Sequence, residues 1–261
     1  MSMTDTSEMS AAPPDAMTEA MDLISAASKE GITVRLLGGM AVRVLCPDFP
    51  PRPATGLQDI DLATVSASRK SLQNFLIEQG HPPDKNFNAL YGHKQLYFVS
   101  ALSGRPIDVL IDKLSMCHEL VFKDRITRMP YTLDPLDVLL SKLQIVKLTE
   151  KDVRDAVYLM SGYPVQAGAE TGTISLDLYR PIVGDDWPWW RTVTMNLAKI
   201  RGLIAEQQEL VPPGAAYDPS AQSAALIAAA EDAPKSRRWK LRARIGDRVR
   251  WYQEPEESTH G

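Results

Sequence analysis

Gly38-Gly39-Met40-Ala41-Val42-Arg43-Val44-Leu45, followed after a proline-rich interval by Gln58-Asp59-Ile60-Asp61-Leu62-Ala63, decides the fold of this chain. Residues 32–37, just upstream, form a β-branched and aliphatic run that reads as a buried strand. The glycine pair turns the chain out of that strand, and residues 40–45 read as the first turns of a helix. Residues 59–64 are the second expected strand. In extended backbone, residues i and i+2 share a face, so Asp59 and Asp61 point one way while Ile60 points into the protein. Two carboxylates side by side repel, and a fold keeps such a pair mainly where a cation neutralises it. Oxygen-ligated Mg²⁺ is the natural candidate.

Outward from this stretch the pattern is mixed. Ala16, Ala20, Leu23, Ile24 and Ala27 recur at helical spacing over 15–29, and Gly31 supplies a stop. Pro47, Pro50, Pro51 and Pro53 make the interval before Asp59 a loop. A helix is expected over 68–79, strands over 87–91 and 94–100, then a turn at Ser103-Gly104 and a returning hairpin strand over 106–111. Asp134-Pro135 starts a helix that runs through Leu136, Leu139, Leu140, Leu143 and Val146, and a second begins near Thr149. Gly and Pro punctuate a linker-like stretch over 161–185, after which helices are expected over 186–209, 219–231 and 235–250. The fold class is α+β: a small mixed sheet with flanking helices, followed by a helical C-terminal part. The expected organisation is a disordered 1–14, a first domain over 15–160, a helical region over 161–252 and a flexible acidic tail over 253–261.

Composition narrows the function classes. The 261 residues are 44% apolar and 24% charged, with net charge −4, so the molecule as a whole is not a polycation that coats nucleic acid. Cys46 and Cys117 show no CxxC spacing, which suits a reducing cytoplasm. No apolar run approaches the roughly 18 residues of a membrane span, and no signal peptide is visible, so no membrane partner is expected. His81, His93, His118 and His260 lack ligand spacing and read as structural or surface residues.

A third acid completes the constellation. In Arg105-Pro106-Ile107-Asp108-Val109-Leu110-Ile111, Asp108 is an isolated acid in an apolar strand and needs a partner or a metal. Strand, Gly-Gly, helix, then Asp-x-Asp on one strand and Asp on a later one, resembles the polymerase-β-like nucleotidyltransferases. Within them the chain resembles the abortive-infection (AbiEii-type) group, which includes toxins of toxin–antitoxin pairs. The resemblance rests on Gly38-Gly39-x-Ala41-x-Arg43-x-Leu45, on Leu139-Leu140-Ser141-Lys142, and on Lys151-Asp152-Val153-Arg154-Asp155, in order over residues 32–160. Two features depart from the family pattern. Thr149 stands where an arginine is usual, and the interval from Gly39 to Asp59 is longer.

The resemblance implies transfer of a nucleoside monophosphate from an NTP to a hydroxyl, with pyrophosphate leaving. Asp59, Asp61 and Asp108 would be the catalytic residues and would hold two Mg²⁺ ions, with Mn²⁺ as a substitute. Asp108 would also help deprotonate the acceptor. Gly38 and Gly39 would let backbone approach the triphosphate, Lys142 would contact phosphate, and Asp152 would support the site or orient Lys142. The acceptor expected is RNA, specifically a tRNA 3′ end, with a cognate antitoxin as partner. The competing readings are a small-molecule, antibiotic-type nucleotidyltransferase and a catalytically inactive binding protein of the same fold.

Residues 235–250 carry eight basic side chains interleaved with Trp239. Arg237, Arg238, Lys240, Arg242 and Arg244 are the candidate nucleic-acid contacts. The plainer reading is a solvated helix packed by Trp239, Leu241 and Ile245 and balanced by the acidic tail.

Overall fold

The computed structural model describes residues 15–50 and 58–254. The expectations for residues 1–14, for Pro51 and Pro53, and for the tail from residue 255 onward lie outside the described residues. Four strands build the central sheet: β1 (Val34–Leu36), β2 (Ile60–Thr64), β3 (Gln95–Val99) and β4 (Pro106–Ile111), in the order β1-β2-β4-β3. β2 and β4 run parallel, and the outer pairs are antiparallel, so the sheet is mixed as expected. The period-two pattern is strict in β3 and β4 and holds over the first three residues of β2. Ile60, Leu62, Leu96, Phe98, Ile107 and Val109 are fully buried on one face, in one core with Ile24 of α1 (Ala16–Lys29) and Leu72, Phe75 and Leu76 of α3 (Arg69–Glu78). The other face carries Asp61, Gln95, Tyr97 and Asp108, all half-buried.

The helices that border this polar face are fixed by local chemistry. α2 (Gly38–Leu45) follows β1 with no linking residue except Leu37. Asp134 caps α5 (Pro135–Leu143) by accepting from the Leu136 amide, and Pro135 occupies its first turn. Thr149 caps α6 (Glu150–Gly162) in a reciprocal capping box with Asp152. α5 stops at Leu143 rather than continuing to Val146, because Asn196 donates to the carbonyls of Leu143 and Ile145, at 2.8 Å each.

Residues 87–91 are not a strand. They lie in α4 (Lys85–Tyr91), where Asp84 accepts from the Phe87 amide and the Phe87 and Tyr91 rings pair at 4.9 Å across one turn. Aromatic residues four apart satisfy both a two-residue and a helical period, and the cap decides between them. α4 lies along the edge of β3. The Asn88 side chain both accepts from the Tyr97 amide (2.7 Å) and donates to the Tyr97 carbonyl (3.1 Å). At the opposite edge, Leu36 accepts from Leu133 and donates to Tyr131.

A short hairpin, β5 (Lys113–Ser115) and β6 (Glu119–Val121), follows β4 and was not signalled by the sequence. The linker-like stretch holds β7 (Val165–Gln166), β8 (Ile174–Ser175), α7 (Leu176–Tyr179) and one π-helical turn, Arg180–Gly184. Then come α8 (Trp187–Glu206), α9 (Pro219–Asp232) and α10 (Arg237–Ile245). α10 ends before residue 250 because Gly246 takes a positive φ of 61° and Arg242 bonds the Gly246 and Val249 carbonyls. Beyond it, Trp251 donates to Thr192 at 2.9 Å and the Gln253 amide bonds the Cys117 carbonyl at 3.0 Å, tying the segment after α10 to the β5–β6 turn. Among the described residues, no helix is long and apolar enough to cross a membrane.

Candidate active site

The polar face of the sheet brings two of the three acids together. Asp61 and Asp108 are direct register partners on the parallel strands β2 and β4, so their side chains leave the sheet side by side. Asp59 lies one residue before β2 and is exposed. It stands near enough to act electrostatically on Asp61 and on Tyr97. Burial first, and then the negative charges of Asp108 and Asp59, push the Asp61 carboxyl up to about 7, while Lys142 pulls it down. Tyr97, in register with Asp108 on the same face, is raised by burial and then by Asp59 and Asp108.

Gly38 closes the site from the β1 side. Its φ of +69° is left-handed, and a β-carbon built on it would overlap the Asp61 carboxylate. Both facts require glycine there. The same turn fixes the backbone, since the Leu37 amide donates to the Asp61 carbonyl at 3.0 Å. No side chain caps α2, so its first-turn amides carry no internal acceptor from a cap residue. Gly39 is the second residue of that turn.

Lys142 enters from below. Every other residue of α5 is buried, and Lys142 alone of the nine is not. Its ammonium lies 3.0 Å from Asp155 Oδ2 and 3.9 Å from Asp152 Oδ1. Asp155 is therefore the nearer anchor, a role that the sequence reading gave to Asp152. Asp152 bonds chiefly to Thr149 in the capping box. Thr149 thus serves as a helix cap.

Gln95 was not singled out from the sequence. Its amide nitrogen donates to both oxygens of Asp108, at 2.7 and 2.8 Å. The only signal for it was a polar residue two positions before Tyr97 on the polar face of a strand.

Among the described residues, no three His, Cys, Asp or Glu groups form a ready-made cation cage. A Mg²⁺ ion that comes with a nucleotide needs fewer. It is held by one or two carboxylates plus substrate phosphates, with waters completing its shell. Asp61 and Asp108 supply that number and kind of donor.

The basic stretch lies elsewhere, on α8. Trp239 turns inward, its ring 5.2 Å from that of Trp190, and Arg242 stacks on Trp187 at 4.3 Å. Arg237, Arg238, Lys240 and Arg244 are exposed. Leu241 and Ile245, expected to pack this helix, are exposed as well, at 59% and 44%. The helix seats itself through Trp239 and Arg242 instead.

No protein-family model matches the chain, and no curated protein does. Among solved structures, it is similar to the crystal structure of ANT(2″)-Ia in complex with adenylyl-2″-tobramycin, at 12% identity and TM-score 0.37, over 56% of this chain and 87% of that one. The solution structure of the antibiotic-resistance factor ANT(2″)-Ia gives 12% and 0.38, over 56% and 82%. An antigenic nucleotidyltransferase-like protein from Paracoccidioides brasiliensis gives 14% and 0.43, over 75% and 94%.

Proposed function

We propose that this chain transfers a nucleoside monophosphate from an NTP to a hydroxyl acceptor. The acceptor oxygen would attack the α-phosphorus, the bond from that phosphorus to the bridging oxygen would break, and pyrophosphate would leave. One observation carries this reading: Asp61 and Asp108 stand in register on adjacent parallel strands, against a glycine backbone and facing a lysine from an otherwise buried helix.

Asp61 and Asp108 would hold Mg²⁺ or Mn²⁺, with Asp59 as the third carboxylate. Bound there, the cation would neutralise charge on the phosphates and on the attacking oxygen. Asp108 would accept the acceptor's proton. Gly38 and Gly39 would allow the phosphates to approach the first turn of α2, and Lys142, held by Asp155, would place a positive charge beside them.

The finer reading is an RNA acceptor, a tRNA 3′ end, in a toxin that a cognate antitoxin would restrain. The exposed Arg237, Arg238, Lys240 and Arg244 support it as phosphate contacts. Trp239 faces inward, so the reading includes no base stacking by that ring. The test is incubation with Mg²⁺, each labelled NTP and total RNA. Labelled tRNA supports the full reading, and label in a small hydroxyl compound alone would move the acceptor to the antibiotic-type class. No labelling with any NTP, together with no Mg²⁺–NTP binding, would refute enzymatic transfer.

A further inference from the structure

Asp108 has a neighbour on each side. In the order β1-β2-β4-β3 its strand lies between β2, which carries Asp61, and β3, which carries Gln95. The Gln95 amide nitrogen is almost equidistant from the two oxygens of Asp108, at 2.7 and 2.8 Å. A donor so placed lies near the bisector of the carboxylate, so both oxygens of Asp108 are engaged from the β3 side. A carboxylate has about four lone-pair sites, and the two that converge on the bisector are the ones this amide takes. A cation shared with Asp61 would draw on the same two oxygens.

We propose that the Gln95 amide competes with a divalent cation for the oxygens of Asp108, so that the cation binds more weakly while this hydrogen bond is made. The inference rests on the reading of Asp61 and Asp108 as the cation-holding pair. Gln95 is then a positioning residue that sets how tightly the site takes its metal. A bare carboxylate pair would trap a cation more tightly, whereas a site that trades an amide for it can release it after each turnover.

Mn²⁺ binding to the full chain, followed by electron paramagnetic resonance of the free ion, provides the test. Gln95→Leu removes the competing donor and should bind Mn²⁺ about tenfold more tightly than the unsubstituted protein, the scale of one hydrogen bond to a charged group. Gln95→Asn, whose amide is one methylene short of Asp108, should show a similar gain. Mg²⁺ titration of the unsubstituted protein should shift the Gln95 side-chain NH₂ signals in the nitrogen-15 spectrum, a readout that does not depend on either variant folding. Equal or weaker Mn²⁺ affinity in folded variants, or unmoved NH₂ signals at saturating Mg²⁺, would overturn the proposal while leaving the cation site intact. Absence of Mn²⁺ binding by the unsubstituted protein, with or without NTP, would instead defeat the underlying reading of the carboxylate pair.

Discussion

The polar face of the sheet and the seam where α10 lies on α8 are both rich in charge, yet they differ in what neutralises it. On the inward side of the seam the cations are answered from within. Arg191 pairs with Asp247 at 2.7 Å, Arg242 lies on Trp187 and bonds two carbonyls, and Lys235 lies over Trp239. On the sheet face, carboxylates are gathered against one another, with a glycine pressed on one of them. Cations paired with anions, rings and carbonyls of the same chain indicate packing, whereas like charges gathered side by side with a perturbed carboxyl among them point toward a ligand. This difference supports the proposal that the chemistry lies at Asp61 and Asp108, with the inward side of the α10 seam serving to pack the helix.

The largest effect that would break the comparison is at Asp61. Asp61→Asn should lower nucleotidyl transfer on the order of a thousandfold, the scale of losing a charge-stabilising group. The same change should make the protein more stable above pH 7. Burial and the neighbouring carboxylates push the Asp61 carboxyl up to about 7, well above the ordinary aspartate range, so the fold favours its protonated form. Its stabilising contribution is present below pH 4 and lost as pH rises through 7, an upper bound of about 4 kcal/mol. Urea unfolding at pH 5 and pH 8 checks this; a variant less stable than its parent at pH 8 would contradict it.

Asp155→Ala comes next. It leaves the half-buried Lys142 without its 3.0 Å partner and should cost about 3 kcal/mol. Asp152→Ala, which mainly loosens the cap of α6, should cost about 1 kcal/mol. A reversed order in chemical denaturation would return the anchoring role to Asp152.

The seam should respond to pH in the opposite sense. Burial pushes the His118 imidazole down to about 4, with its Nε2 2.8 Å from the Thr192 hydroxyl. Its stabilising contribution is present above about 6.5 and lost as pH falls from there to 4, at most roughly 3 kcal/mol. His118→Gln should flatten that acid limb, as read from the melting temperature between pH 7.5 and 5.

The smallest effects belong to the outward face of α10. Alanine at Arg237, Arg238, Lys240 or Arg244 should change stability by less than about 0.5 kcal/mol, whereas Arg242→Ala should cost about 1–2 kcal/mol. If RNA binds there, each exposed substitution should reduce the salt dependence of binding by about one ion.

The sequence made the sheet and its acids legible because alternation, a glycine pair and isolated acids are local signals. Ile60 and Asp61 fell on opposite faces as their spacing required, and Thr149 declared its helix start. What stayed hidden depends on neighbours far along the chain. Gln95 matters because β3 lies beside β4, and α5 is cut short by Asn196 from α8. Residues 87–91 were misread because one spacing of aromatics fits two periods. The outward Leu241 and Ile245 were misassigned because an amphipathic pattern does not say which of its faces finds a partner.

The side chain of Asn88 imitates a strand, offering both its donor and its acceptor to the backbone of Tyr97. At the other margin, Tyr131 and Leu133 do the same for Leu36 with their own backbone. Edge strands are where sheets from separate molecules fuse. At these two points the margins of the four-stranded sheet are occupied, and adding a strand of a second copy there first requires peeling α4 or the 131–133 segment away. Asn88→Ala would uncover one such margin without touching the carboxylates, turning a question about solubility into one about a single amide.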